Sequence, residues 1–274
     1  MKIIVTGGGG FIGRATMEAA VSAGHQATSF DRAHGQDILT SDLSGWENAD
    51  AVIHLAGVLG TSELFDTPEL AVNVNVNGTL RVLKACEQYG LAYTGITMPQ
   101  VFPSVYTATK ICATRLASAW HLAKGVPVSH VRAYNAYGAG QAHGEGHPQK
   151  IIPTFATEAW AGRPIPIWGD GTQGVDLIDA DSLGRMLVAA TGIGDDITVD
   201  GGTGRAWTVN EVANYVLAIT GSSAGIEYLP MRDGETPTDI VATGQGWDRL
   251  PYDPHVSEKH LMKTLSDTIE WYQV

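Results

Sequence analysis

Apolar and polar positions along the chain alternate between two periods. Short β-rich runs at residues 2–6, 26–30, 51–55, 92–97 and 127–132 are separated by amphipathic stretches that fit helices around 11–23, 68–89, 104–124 and 149–161. This β–α alternation predicts an α/β fold, a doubly wound parallel sheet with right-handed crossovers. AVIHLAG, Ala51 to Gly57, is apolar on both faces and ends in small residues. It reads as a buried strand that delivers the chain to the carboxyl edge of the sheet, where ligands bind in such folds. Beyond about residue 140 the pattern fragments. Gln141 to Lys150 is a polar, glycine-bearing loop, Arg163 to Gly174 holds turns around a short strand, and a last helix fits 257–272.

The opening stretch carries the first chemistry. In MKIIVTGGGGFIG a strand runs straight into glycines, and Gly7, Gly10 and Gly13 stand at G-x-x-G-x-x-G spacing. The turn needs glycine's backbone freedom, a pyrophosphate needs an approach free of Cβ, and the helix must lie close on the sheet. The helix start then offers unpaired N–H groups and a positive dipole end to the phosphates. Asp31 closes TSFD, 18 residues past Gly13. Its carboxylate suits the ribose hydroxyls and repels a 2′-phosphate, which favours NAD over NADP. The expected organisation is an NAD-binding Rossmann domain over residues 1–140, completed by sheet segments from the C-terminal part. Residues 141–274 are expected to form mostly a small α/β substrate lobe interleaved with that core.

Composition narrows the class. The hydrophobic fraction of 44% suffices for a sizeable core. No apolar run approaches the roughly 20 residues of a membrane span, and the N-terminus reads as strand and turn rather than leader, so a cytoplasmic protein is expected. The net charge of −12 argues against nucleic-acid or anionic-membrane partners. Cys86 and Cys112 lie in helical sequence, form no disulfide framework and are expected to be buried, reduced thiols.

Tyr106 and Lys110 stand at i and i+4 and share one helix face. A neighbouring ammonium stabilises a phenolate, so the tyrosine's pKa is expected to fall from about 10 toward a catalytic range. Together with the glycine turn, this pair resembles the extended short-chain dehydrogenase/reductase family of NAD-dependent nucleotide-sugar epimerases and dehydratases. The resemblance covers nearly the whole chain and is nearest in pattern to the UDP-sugar 4-epimerases. TGGGGFIG, with Phe11 and Ile12, is similar to the family's TGxxGFIG, Asp31 stands at its ribose-binding acid, and Asp37-Ile38 is similar to its adenine-contacting pair. HLAG, with Leu55, Ala56 and Gly57, matches its strand end, and NVNGTLRVL from Asn75 its Asn-x-x-GT helix. RAYNAYGAGQ from Arg132, WGDGTQ from Trp168 and the terminal TIEWY complete the series.

The resemblance implies roles. Tyr106 would be the general base on a sugar hydroxyl, and Lys110 would tune it and hold the nicotinamide ribose. The family's Ser or Thr at the fifth strand end is replaced by Met98, leaving Thr97 or Ser104 to supply that hydroxyl. Family dehydratases carry Asp-Glu just after it and decarboxylases a glutamate, whereas Pro99 and Gln100 stand here. Neither side chain is an acid or base at neutral pH. Asn135 and Arg232 match contacts to the sugar diphosphate. Trp168 stands where an aromatic stacks on the base, with plain packing the alternative. Val175 replaces a diphosphate-binding arginine, and Lys150 is positioned to compensate as a point charge.

The leading reading is a 4-epimerase acting on a UDP-hexose or related sugar through a transient 4-keto intermediate. A homodimer is expected through the helices at 68–89 and 104–124. A nucleotide-sugar 4-ketoreductase or dehydrogenase and a non-catalytic NAD-binding regulator are the alternatives. Other residues carry blander readings. His143, Glu145 and His147 are a loop cluster with no metal assigned, His54 is a satisfied core histidine, and GGTG at 201–204 is a turn rather than a second phosphate loop.

Overall fold

The structure is a computed structural model that describes residues 1–273. The apolar run Ile3-Ile4-Val5 forms β1 (Lys2–Thr6), followed by α1 (Phe11–Ser22), β2 (Gln26–Phe30) and β3 (Ala51–His54). A short α2 (Pro68–Ala71) leads through a π-helical turn at Val72–Asn77 into α3 (Gly78–Tyr89). Next come β4 (Ala92–Thr97), α4 (Val105–Lys124), β5 (Val128–Ala133) and β6 (Asn135–Tyr137). α5 (Ile151–Trp160), β7 (Ile165–Trp168), β8 (Gly174–Val175), β9 (Leu177–Asp179) and α6 (Ala180–Ala190) follow. The chain ends with β10 (Asp195–Gly201), β11 (Trp207–Thr208), α7 (Val209–Thr220), β12 (Ile226–Leu229) and α8 (Glu258–Trp271).

Six strands form one sheet in the order β10-β5-β4-β3-β1-β2, every pair parallel. The register sets Thr6 beside Phe30 and His54, and Thr97 beside Arg132, so the carboxyl ends of neighbouring strands share one edge. α1 and α6 cover one face, over a core that includes Val5, Ile53, Leu183 and Leu187. α3 and α4 cover the other, over Val52, Leu83, Tyr93 and Val128. A third cluster joins α5, α7 and α8 around Phe155, Ile167, Val216 and Leu265. Tyr137 ties this lobe to the sheet edge, its hydroxyl 2.6 Å from Thr264 Oγ1.

Two expectations need correction. The helix over 68–89 runs without a gap but is not α throughout, because the Val-Asn repeat at Val72–Asn77 takes the wider π turn. A π turn changes where the following side chains point. Here Asn75, 2 % exposed, finds partners for both amide atoms on neighbouring elements. The second correction concerns the cysteines. Cys86 is buried, and burial pushes its thiol up to about 12, whereas Cys112 lies exposed on α4.

Candidate active site

The carboxyl edge of the sheet opens on a cavity of about 540 Å³ whose wall includes the glycine turn, the β3 end and the start of α4. Gly7 holds φ at +73°, and a Cβ there would stand 2.8 Å from Ala56 N. Gly13 packs α1 onto the turn so tightly that a Cβ would meet Gly7 O at 2.0 Å. α1 starts with no side chain bonded to its first amides, which leaves those N–H groups for an anion. Gly10, Phe11 and Ile12 line this end of the cavity.

Asp31 closes the far side of the turn. Its carboxylate accepts from Gly9 N at 3.1 Å and Ala33 N at 2.8 Å, which fixes the acid at the cavity wall. Asp37 accepts from Leu39 N at 2.7 Å, and Ile38 is buried against Gly78 of α3. Both belong to the same wall, as do Leu55, Ala56 and Gly57 opposite the glycines. This cradle fits NAD. Its glycines let the turn close against Ala56 and α1, its helix start offers free donors, and its acid stands ready for a ribose.

Asn75 also lines the cavity, but its side chain is occupied by protein. Oδ1 accepts from Val58 N at 2.9 Å, and Nδ2 donates to Val58 O at 3.0 Å and Thr109 Oγ1 at 3.1 Å. It therefore joins the loop after β3 to α4.

Tyr106 and Lys110 both reach the cavity from α4, with Thr97 at the end of β4. Enclosure pushes the Tyr106 phenol up to about 12 and the Lys110 ammonium down to about 8. The expected fall in the tyrosine's pKa is thus absent from the protein alone, because loss of hydration raises it. The hydroxyl question resolves geometrically. Ser104 caps α4: its Oγ accepts from Thr107 N at 3.1 Å and donates to Thr107 Oγ1 at 3.1 Å. Ser104 stands off the cavity wall, whereas Thr97 is on it, its hydroxyl 3.0 Å from Thr114 Oγ1, which also reaches the Lys110 carbonyl at 3.0 Å. Met98 and Pro99 are on the wall as well, and Met98 Sδ accepts from Thr107 Oγ1 at 3.8 Å.

The substrate residues divide into two groups. Asn135 and Lys150 line the cavity. Trp168 and Arg232 are not on its wall and instead meet each other, the guanidinium 4.9 Å over the indole. Arg232 is forked onto Glu235, with Nε donating to Oε2 at 3.1 Å and Nη2 to Oε1. Glu63 stands 3.8 Å from the same guanidinium and accepts from Gln149 N at 3.3 Å, which links this pair to Lys150 on the wall. Burial holds the Lys150 ammonium below the usual lysine range, with Glu63 and Glu235 opposing and Arg232 adding to the shift. Val175, 6 % exposed, is core rather than cavity wall, so no cation occupies that position.

Sequence reasoning missed the two carboxylates of this cluster and two deeper ones. Asp176, fully buried, accepts from Thr203 N at 2.8 Å, Gly204 N at 2.8 Å and Ala242 N at 3.0 Å. The GGTG turn at 201–204 therefore has these amides filled by an internal carboxylate. Asp200, also fully buried, pairs with Arg132 at 3.0 Å and accepts from Thr243 N at 2.9 Å. The signal was an acid inside an apolar strand pattern, as in GVDLID from Gly174. His54 is buried with both ring nitrogens bonded, and burial with the nearby Lys110 charge lowers it to about 3. His143 packs edge-on against Tyr272 at 5.0 Å, and His147 lines the cavity while Glu145 is exposed. Among the described residues, no three His, Cys, Asp or Glu side chains are grouped as a metal site requires.

Residues 3–196 match the sequence profile of the NAD dependent epimerase/dehydratase family. The chain belongs to that family. It is 25% identical to the UDP-glucose 4-epimerase of Mycolicibacterium smegmatis over 315 residues, spanning 100% of this chain and 99% of that protein. It is 26% identical over 322 residues to a dTDP-glucose 4,6-dehydratase of Streptomyces niveus, covering 100% and 93% of the two chains. The UDP-glucuronic acid 4-epimerase of Bacillus cereus, solved with UDP-glucuronic acid and NAD, superposes with a TM-score of 0.87 at 23% identity over 100% of this chain and 99% of that one. Membership makes NAD the family's cofactor. It also sets the choice that remains, between epimerases and dehydratases.

Proposed function

We propose that this protein is an NAD-dependent nucleotide-sugar 4-epimerase whose substrate is a UDP-hexose or a related sugar. One observation carries the choice. The carboxylates on the cavity wall, among the described residues, are Asp31 and Asp37, both at the glycine-turn end. Elimination of water needs an acid and base beside the sugar, and Met98, Pro99 and Gln100 supply neither.

Bound NAD supplies the acceptor and donor of the C4 hydrogen. The chain's own residues do the rest. Tyr106 takes the proton from the C4 hydroxyl and returns it after the sugar has turned over. The Lys110 ammonium supports the phenolate and holds the cofactor ribose. Thr97, on the cavity wall beside Thr114, donates to the same sugar oxygen. Asn135 and Lys150 meet the diphosphate. Arg232 joins them by exchanging Glu235 for phosphate, with Trp168 as its stacking platform. Residues 141–274 serve mostly as the substrate lobe.

The protein is read as a cytoplasmic homodimer. Among the described residues no helix is long and apolar enough to cross a membrane. Leu70, Val72 and Leu122 are exposed on the helical segments expected to pair, which supports a dimer through that face. Incubation with NAD and a panel of UDP-, dTDP- and GDP-sugars tests the reading. Interconversion of two epimers without net NADH, lost in Tyr106→Phe, supports it. A 4-keto-6-deoxy product, or net cofactor consumption, assigns dehydratase or reductase instead.

A further inference from the structure

The hydrogen bonds around His54 have a fixed direction, and the chain they form joins two walls of the cavity. Thr79 Oγ1 lies 2.7 Å from Asn75 O, an acceptor, so the Thr79 proton points there. The Thr79 oxygen can then only accept from His54 Nε2 at 3.1 Å, which places the imidazole proton on Nε2. Nδ1 is left as an acceptor and takes the Thr6 hydroxyl proton at 2.7 Å. The Thr6 hydroxyl oxygen in turn receives Ala56 N at 3.2 Å and shares Leu55 N, at 3.2 Å, with the Thr6 carbonyl at 3.0 Å. At the other end Asn75 holds Val58 N and donates to Thr109 Oγ1, which donates to Tyr106 O at 2.9 Å. Every proton in this series is accounted for. His54 is 3 % exposed and Thr6 is fully buried, so water offers no substitute partners.

We propose that neutral His54 is a positioning residue of the reaction. Through Thr6 it sets the Leu55–Ala56 backbone on the cofactor side of the cavity, and through Thr79 and Asn75 it sets that segment against the Tyr106 turn of α4. The residue touches neither cofactor nor sugar. Two walls contributed by elements far apart in sequence are held in one register by one imidazole. A chain with a single allowed proton arrangement is stiff, because reversing one bond leaves a buried donor or acceptor unpaired. The kinetic part rests on the epimerase reading above, whereas the structural part does not.

Three variants separate these parts. His54→Phe keeps an aromatic ring and removes both bonds, His54→Gln restores the donor to Thr79, and Thr79→Val cuts the chain at its next link with little change in volume. Hydrogen exchange of the full-length protein, without substrate, is expected to speed at least about 10-fold at Ala56 and Val58 in His54→Phe and Thr79→Val. In His54→Gln the Val58 amide is expected to recover. With a turned-over sugar, kcat falls about 10²-fold in His54→Phe while KM stays within about 3-fold, and His54→Gln regains at least about 10-fold. Should His54→Phe not fold, Thr79→Val gives the same two readouts. Unchanged exchange at Val58 in the cut variants, or equal kcat in His54→Phe and wild type, overturns the proposal. A wild type that turns over no nucleotide sugar defeats the epimerase reading alone, and the exchange data still decide this one.

Discussion

Thr114 Oγ1 stands 3.0 Å from both Thr97 Oγ1 and the Lys110 carbonyl, across the gap between α4 and the end of β4. The Lys110 carbonyl can only accept and competes for the one Thr114 proton, so Thr97 reaches an oxygen in the cavity by turning its own hydroxyl from Thr114. Ser104, the other candidate hydroxyl, lies off the cavity wall and is spent on Thr107, accepting from its amide and donating to its Oγ1. The two residues therefore have opposite mutational signatures. Thr97→Val is expected to lower kcat about 10²-fold with little change in melting temperature. Ser104→Ala is expected to cost about 1 kcal/mol of stability and to leave kcat within about 3-fold. Steady-state kinetics paired with urea unfolding check both, and the reverse pattern would assign the sugar hydroxyl to Ser104.

Gly13 tolerates no side chain. A Cβ would lie 2.0 Å from Gly7 O, a backbone atom that cannot swing aside. Gly13→Ala is expected to cost about 3 kcal/mol and to abolish NAD binding, because the turn and α1 must part. Calorimetric titration with NAD checks this, and wild-type affinity in the variant would show the turn to be pliable.

Asp31 is fixed at the cavity wall by Gly9 N and Ala33 N. Its negative charge excludes a 2′-phosphate there. Asp31→Asn removes that charge, so NAD affinity is expected to fall about 10-fold while NADP affinity rises. Titration of both cofactors against both proteins measures the switch, and an unchanged preference would move the ribose site away from Asp31.

Lys110 links the site to pH. Its pKa is lowered from 10.5 to about 8 by burial. Between those values the unfolded chain binds a proton that the folded protein has released, so wild-type stability gains from this group as pH rises toward 10.5. As pH falls through about 8 that gain is lost, and below it the buried ammonium imposes a constant cost. Lys110→Met removes the cost and is expected to be about 2 kcal/mol more stable than wild type at pH 7, with a narrower margin at pH 9.5. Urea midpoints at the two pH values check the sign. The variant is also expected to lose turnover.

Much of this was legible in the sequence because it is local. β1 and β2 match the expected 2–6 and 26–30, and α4 begins one residue after its predicted start, since strand runs, the glycine turn and the Ser104 cap are set by neighbours in sequence. The glycine turn, Asp31 and the Tyr106–Lys110 pair likewise converge on one cavity as their spacing implied. The rest depends on partners distant in sequence. Whether Thr97 or Ser104 faces the cavity follows from Thr114 and Thr107. The neutralisation of Arg232 follows from Glu235 and Glu63, and the π turn at Val72–Asn77 carries Asn75 among partners from two other elements. Asp176 and Asp200 gather backbone amides from loops that no local pattern brings together.

The most direct test of the central claim follows the hydrogen at C4. UDP-glucose deuterated at C4 is incubated with the NAD-loaded enzyme in ordinary water, and the epimer is examined by proton NMR. The account predicts a 4-epimer that retains deuterium at C4, with no NADH released and no conversion by Tyr106→Phe. A product that has lost the label to solvent, or wild-type conversion by Tyr106→Phe, would contradict it.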